Sequence, residues 1–251
     1  MRRPETESLT TYLASLLHHS KPQKKPLRIL DLCTGTGCIP LLLNSILAPS
    51  TPALRLLGVD NSTAAISLAR KNLEHNVTLR RLPLSARDQI QFLRDDIFDP
   101  TKLQWPNQSW DILISNPPYI SPDSFNKTTA RSVRNHEPIS ALVPSLDPQS
   151  TLPDEAKGDI FYPHLLSLAN SVQAKIILFE VADMAQAERV VHMVLDHGWE
   201  GVEIWRDWPA QGVSREFVTA GAVEVNVIGE GNGRGVIAWR RGVGTWIGKA
   251  E

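Results

Sequence analysis

The sequence predicts an α/β fold built on a mostly parallel sheet with helices on both faces. Three observations carry this. Short apolar runs (Leu27 to Leu32, Leu54 to Val59, Ile90 to Arg94, Asp111 to Ser115, Lys175 to Val181) read as buried strands, and stretches of helical periodicity separate several of them. Gly35 and Gly37 stand between the first run and an apolar, helix-like stretch. Asp60 then closes the second run, so strand, glycine turn, helix, strand and acid follow in the order of a βαβ unit.

Taken in order, Ser8 to His19 places Leu9, Tyr12, Leu13, Leu16 and Leu17 at helical spacing, which gives one apolar face. Ser20 to Pro26, rich in lysine and proline, is a surface connection. Ile39 to Leu47 is apolar enough for a helix laid on a sheet, and Ser62 to Asn76 carries Ile66, Ala69 and Leu73 on one side. Arg80 to Arg87 reads as a loop. Ser121 to Pro153 is long and proline-punctuated, which predicts an ordered active-site loop. Phe161 to Val172 and Ala182 to Asp196 read as helices, Val202 to Arg206 as a sixth strand and Gly235 to Arg240 as the last. Pro209 to Gly233, dotted with glycine, looks like an insertion and is assigned no element.

The 251 residues, 42% hydrophobic and 21% charged, can bury the core of one large domain. A formal charge of -1 argues against a protein whose main task is gripping a phosphate backbone. The basic stretches Lys21 to Arg28, Arg80-Arg81 and Arg240-Arg241 read as solvated faces. Cys33 and Cys38 are too few for a disulfide framework or a four-ligand zinc site, so a reducing compartment is expected. No 18-residue apolar stretch predicts a transmembrane helix, and the first residues resemble neither a signal peptide nor an organellar presequence. His18-His19, His192 and His197 lack metal-ligand companions, so no metal is expected; His136 beside Glu137 reads as a structural or solvated loop histidine. Neither a Gly-x-Ser-x-Gly elbow nor a P-loop occurs.

Two constellations carry chemistry. In the first, Gly35 and Gly37 let the backbone pass close to a ligand. Pro40 occupies the third glycine position of the dinucleotide fingerprint, which counts against a nicotinamide or flavin. Asp60, 25 residues beyond Gly35, suits either a ribose diol or a helix N-cap. The second is Asn116-Pro117-Pro118-Tyr119, a rigid lip at the carboxyl end of the fourth strand, where open α/β sheets bind ligands. Asn116 accepts and donates, the Pro117 carbonyl accepts, and the Tyr119 ring can cover a flat group. Together they suit a planar NH2 group.

These pieces resemble the class I S-adenosylmethionine-dependent methyltransferases, whose loop usually reads acid-x-Gly-x-Gly-x-Gly; here it is Asp31-Leu-Cys33-Thr34-Gly35-Thr36-Gly37, with Cys33 at the first glycine position. The resemblance implies a Rossmann-like, mostly parallel seven-stranded sheet with an antiparallel last strand. It also implies S-adenosylmethionine bound by Asp31, Thr34, Gly35, Thr36, Gly37, Asp60, Asp96, Ile97 and Asn116, with Asp31 near the amino-acid moiety, Asp96 and Ile97 facing adenine, Asp95 a solvated neighbour and Cys33 a packing residue. Within that superfamily, Asn-Pro-Pro-Tyr marks enzymes that methylate a nitrogen on an sp2 carbon, which assigns catalysis to Asn116, Pro117, Pro118 and Tyr119 with no general base needed before attack.

Further segments narrow the resemblance to the HemK/PrmC family of glutamine-N5 methyltransferases. These are Arg3-Pro4-Glu5-Thr6-Glu7, Asp96-Ile97-Phe98, Glu137-Pro138 with Ala141-Leu142, Gly158-Asp159 before a helix, and Arg206-Asp207. That likeness implies residues 1–26 as an entrance segment and helix, 27–251 as the methyltransferase domain, and a class 1 peptide-chain release factor, through its GGQ glutamine, as substrate. No direct nucleic-acid contact, no membrane and a monomer are expected, with a mitochondrial address by analogy if the source is eukaryotic and a cytoplasmic one otherwise. The family's amino-terminal helical substrate domain has no counterpart in these residues. Glu180 matches the acid after the fifth strand, while Ala182 replaces a usual glycine and Gln186 falls one place late. The rivals are an adenine-N6 methyltransferase of DNA or RNA, which would use the same four residues, and a non-catalytic S-adenosylmethionine-binding partner subunit.

Overall fold

The computed structural model describes residues 4–19, 26–99, 103, 105, 108–127, 131, 134, 138–145, 150–212 and 216–249. Arg2, Arg3, Lys21 to Lys25, His136 and Glu137 lie outside them. The strands are β1 (Arg28–Leu32), β2 (Arg55–Asp60), β3 (Ile90–Arg94), β4 (Ile112–Ser115), β5 (Ile176–Glu180), β6 (Gly201–Trp208), β7 (Glu216–Ala220), β8 (Val223–Ile228) and β9 (Glu230–Trp239). They form one sheet in the order β3-β2-β1-β4-β5-β9-β6-β8-β7. From β3 to β5 all pairings are parallel, and β9 runs antiparallel to both β5 and β6. The strand order reverses between β1 and β4, which leaves a crevice at the carboxyl edge of the sheet.

Each central strand is buried on both sides, which is why it reads as an unbroken apolar run rather than an alternation. Ile29, Leu56, Ile112 and Leu178 share one core with Leu9 and Leu13 of α1 (Pro4–His19), Leu43 of α2 (Cys38–Leu47) and Ile66 of α3 (Thr63–Thr78). Their neighbours Leu30, Leu57, Leu113 and Ile177 point the other way. There they meet Leu165 on the helix Phe161–Ser171 and Val190 on the helix Met184–Asp196. Between α3 and the first of these helices, the described residues include the short helices α4 (Ala86–Gln89), α5 (Pro122–Lys127) and α6 (Asp154–Gly158). The two longer helices are therefore α7 and α8. Part of the expected loop Arg80 to Arg87 is thus the start of α4.

Among the described residues the sheet has nine strands, not the seven that the resemblance implies. Pro209 to Gly233 supplies β7, β8 and the first part of β9. A hairpin turning at Gly221 (φ 62°) joins β7 to β8, and β8 lies parallel along β6. Within β8, buried Val225 and Val227 alternate with exposed Glu224 and Asn226, a period of two that glycine-rich surroundings obscured. At Gly229 (φ 95°) a Cβ would lie 2.5 Å from the Trp208 carbonyl oxygen, so only glycine fits the corner. Arg234 Nε, 2.8 Å from Asp207 Oδ1, ties β9 to β6 beside the β-bulge between Arg206 and Trp208.

Candidate active site

Beyond β1 the chain passes through the left-handed region at Cys33 (φ 60°), Gly35 (φ 55°) and Gly37 (φ 78°) before α2 begins. The two glycines serve different ends. A Cβ on Gly37 would sit 2.6 Å from the Phe92 ring, so helix and strand approach closely there. A Cβ on Gly35 would meet nothing within 4 Å, because Gly35 faces the open crevice. Thr34 N donates to Val59 O and Gly37 N to Thr34 O, each at 3.0 Å. Asp60 Oδ2 accepts from Gly35 N (2.8 Å) and Oδ1 from Ser62 N (2.9 Å). The cap of α3 is Ser62, whose hydroxyl accepts from Ala65 N. Asp60 is therefore not the helix cap, and its carboxylate retains lone pairs for a ligand diol.

Beneath the loop lies Asp31, 1% exposed, with Oδ2 accepting from the Thr34 hydroxyl at 2.5 Å and Oδ1 unpartnered. Burial pushes its carboxyl up to about 8, against the pull of the Thr34 bond and with a further push from Asp60. Burial and the Asp60 carboxylate likewise push the Cys33 thiol far up, so Cys33 holds no thiolate and fits packing rather than nucleophilic chemistry. At the end of β3, Asp96 is exposed, with Oδ1 accepting from Phe98 N (3.0 Å), and the Ile97 side chain is buried. Asp95 is half-buried, and its Oδ1 accepts from Asp96 N (3.0 Å). Phe98, 46% exposed, stacks on His164 of α7 at 4.8 Å.

Across the crevice, Ser115 Oγ donates to Leu32 O (2.8 Å) and ties the end of β4 to the end of β1. Asn116 follows, half-buried, its Nδ2 3.1 Å from Thr6 Oγ1. The Thr6 hydroxyl donates to Glu180 Oε2 (2.6 Å), and Tyr119 donates its phenolic proton to Glu180 Oε1 (3.1 Å). Tyr119 is only 6% exposed, so it presents ring rather than hydroxyl. Behind it, Gln186 Nε2 donates to Tyr119 O (3.2 Å) and Asp159 Oδ1 (2.8 Å), while its Oε1 accepts from Ala182 N (2.7 Å). A Cβ on Gly158 would lie 2.9 Å from Tyr119 O.

One cavity of about 1440 Å³ joins the two sides. Thr34, Gly35, Thr36, Asp60, Asp96 and Ile97 line it on one side, and Asn116, Pro117, Pro118 and Tyr119 on the other. Asp31 and Gly37 stand behind the wall rather than on it. Thr6 lines the cavity, and Glu180 holds Thr6 and Tyr119 from behind. The sequence marks both only through the resemblance, Thr6 within the Arg3 to Glu7 entrance segment and Glu180 as the acid after the fifth strand, and gives neither a role in the site. Among the described residues no cluster of three His, Cys, Asp or Glu side chains could hold a metal ion.

The profile of the methyltransferase small domain family matches residues 9–136. The chain belongs to this family. Among curated relatives, the release factor glutamine methyltransferase of Haemophilus influenzae is 31% identical over 82% of this chain and 63% of its own. The probable MRF1 mitochondrial N(5)-glutamine methyltransferase mtq1 of Schizosaccharomyces pombe is 30% identical over 79% of this chain and 61% of its own. The small methyltransferase-domain chain thus spans about three fifths of the length of these relatives, whose names agree with the resemblance drawn from its motifs. Among solved structures, the human METTL16 catalytic domain in complex with a MAT2A 3'UTR hairpin aligns over 96% of this chain and 70% of its own, with a TM-score of 0.55 at 15% identity. The N-terminal domain of human METTL16 in complex with SAH aligns over 96% and 71%, with a TM-score of 0.54 at 14% identity. At such identities the likeness shows the fold, a methyltransferase-type α/β sheet.

Proposed function

We propose that this chain transfers a methyl group from S-adenosylmethionine to the side-chain amide nitrogen (N5) of the glutamine in the GGQ motif of a class 1 peptide-chain release factor. The observation that supports this most is the single cavity that joins the glycine loop and Asp60 to Asn116 and Tyr119. The glutamine methyltransferase names of the relatives favour an amide over a nucleobase. Residues 1–26 then form the entrance segment and 27–251 the catalytic domain, acting as a monomer on a protein substrate; the fission-yeast relative favours a mitochondrial setting.

S-adenosylmethionine supplies an electrophilic methyl group on a sulfonium. The residues lining the cavity fit it: Gly35 leaves room for close backbone approach, Asp60 keeps lone pairs for ribose hydroxyls, and Asp96 and Ile97 offer a polar and an apolar edge to adenine, while Asp31, buried behind the wall, supports the loop through Thr34. The chain's own contribution on the other side is orientation. An amide nitrogen is a poor nucleophile because its lone pair is delocalised into the carbonyl. Acceptors at Asn116 and the Pro117 carbonyl would hold its two hydrogens and aim the lone pair, so alignment provides much of the rate. The Tyr119 ring and the two prolines exclude water from that end.

Labelled-methyl transfer to a release factor, to its GGQ Gln→Ala variant and to nucleic acid tests the proposal. Label on the release factor alone is the expected result. Equal labelling of the factor and its variant, or transfer to nucleic acid, overturns the substrate.

A further inference from the structure

The acceptor motif does not orient itself. We infer that Thr6 on α1 and Glu180 at the end of β5 are positioning residues that fix Asn116 with its carbonyl oxygen toward the cavity, an inference that rests on the proposed methyl transfer for its catalytic meaning.

The argument is one of donors and acceptors. Both oxygens of Glu180 are placed as acceptors, Oε2 toward the Thr6 hydroxyl and Oε1 toward the Tyr119 hydroxyl. The Thr6 hydroxyl has a single proton, and that proton lies in the short 2.6 Å bond to Glu180 Oε2. Toward Asn116, 3.1 Å away, the same hydroxyl can then only accept. Only Nδ2 can donate to it, so Oδ1 is left for the cavity. The other oxygen of Glu180 takes the Tyr119 hydroxyl and turns that ring edge away from the cavity. One carboxylate therefore orients two side chains of that wall. An Asn116 turned the other way would offer N–H to a substrate NH2 group, donor against donor, in place of the acceptor that draws density onto the nitrogen.

Thr6→Val removes the hydroxyl and keeps the shape, and Thr6→Ser keeps the hydroxyl. In Thr6→Val, kcat should fall about 10- to 100-fold, the size expected when an aligned group loses its alignment, with S-adenosylmethionine affinity within about twofold; Thr6→Ser should stay within about threefold of the parent. The second readout needs no turnover. In 15N-labelled protein the Asn116 side-chain amide signal, identified by its loss in Asn116→Ala, should shift in Thr6→Val and hold its place in Thr6→Ser. An unmoved signal in Thr6→Val, parental kcat in Thr6→Val, or a Thr6→Ser variant as slow as Thr6→Val would overturn the inference. If the parent methylates no glutamine, the proposed function fails, and the amide signal still decides the orientation of Asn116.

Discussion

On the glycine-loop wall of the cavity the backbone does most of the holding, with Thr34 N on Val59 O and Gly37 N on Thr34 O, and the one side chain added, the Asp60 carboxylate on Gly35 N, comes from the same βαβ unit. The Asn116 to Tyr119 wall takes its orientation from side chains far away in the chain. Thr6 is 110 residues from Asn116 and 174 from Glu180, and Glu180 is 61 from Tyr119. A backbone-held wall tolerates the loss of a side chain as long as the dihedral angles survive. A wall oriented through side chains fails when one of them is removed.

The largest expected effect is accordingly on the second wall. Asn116→Ala should lower kcat by about 100- to 1000-fold, as loss of a preorganised polar group at a reacting centre does, and leave S-adenosylmethionine affinity near that of the parent. Single-turnover kinetics and calorimetric titration measure the two separately. A collapse of cofactor affinity in this variant would show that the walls are not independent and break the comparison.

A smaller effect belongs to Asp31, under the first wall. Below pH 3.8 its carboxyl is protonated in folded and unfolded chains alike and makes no difference to stability. Between there and about 8 the unfolded chain gives up the proton and the folded chain keeps it, so stability should fall as pH rises through that window and level off above it. Asp31→Asn should remove this part of the fall. Melting temperatures of parent and variant from pH 4 to 9 check it; parallel curves would mean that Asp31 titrates in the folded protein as it does in the unfolded one.

Much of the fold was legible because its strands are buried on both faces. Leu27 to Leu32 and Lys175 to Val181 needed no partner to be read, and β1 and β5 fall inside them. The far end of the sheet was not, because Val223, Val225 and Val227 carry only a short alternation between Gly221 and Gly229. In the site, Gly35, Asp60 and Asn116 to Tyr119 stood out from order and spacing, Asp96 and Ile97 came only with the resemblance, and these residues line one cavity while Asp31 and Gly37 stand behind it. The Thr6–Glu180 contact could not be read in this way, since side-chain hydrogen bonds between helix α1 and strand β5 leave no periodicity in the sequence. What Arg3 to Glu7 offered as an entrance motif acquires a physical reason in Thr6, which touches Asn116 directly. That reason concerns orientation, and an oriented Asn116 would serve an adenine amine as well as a glutamine amide.

The smallest effect tests the backbone-held wall at its least favourable residue. Cys33 sits at φ 60°, a conformation that costs a residue with a Cβ roughly 1–2 kcal/mol relative to glycine. Its side chain is half-buried and packs against the core, and trimming it forfeits contacts of similar size. The two contributions oppose each other, so Cys33→Gly should move the melting temperature by only about 2–4 °C in either direction. The thiol itself gives a second check. Because burial and Asp60 hold the Cys33 thiol protonated, an alkylating reagent at neutral pH should label exposed Cys38 in the folded protein well before Cys33. Rapid labelling of Cys33, or a large loss of stability in Cys33→Gly, would mean that this wall too depends on a side chain, and the contrast with Asn116 would narrow to one of degree.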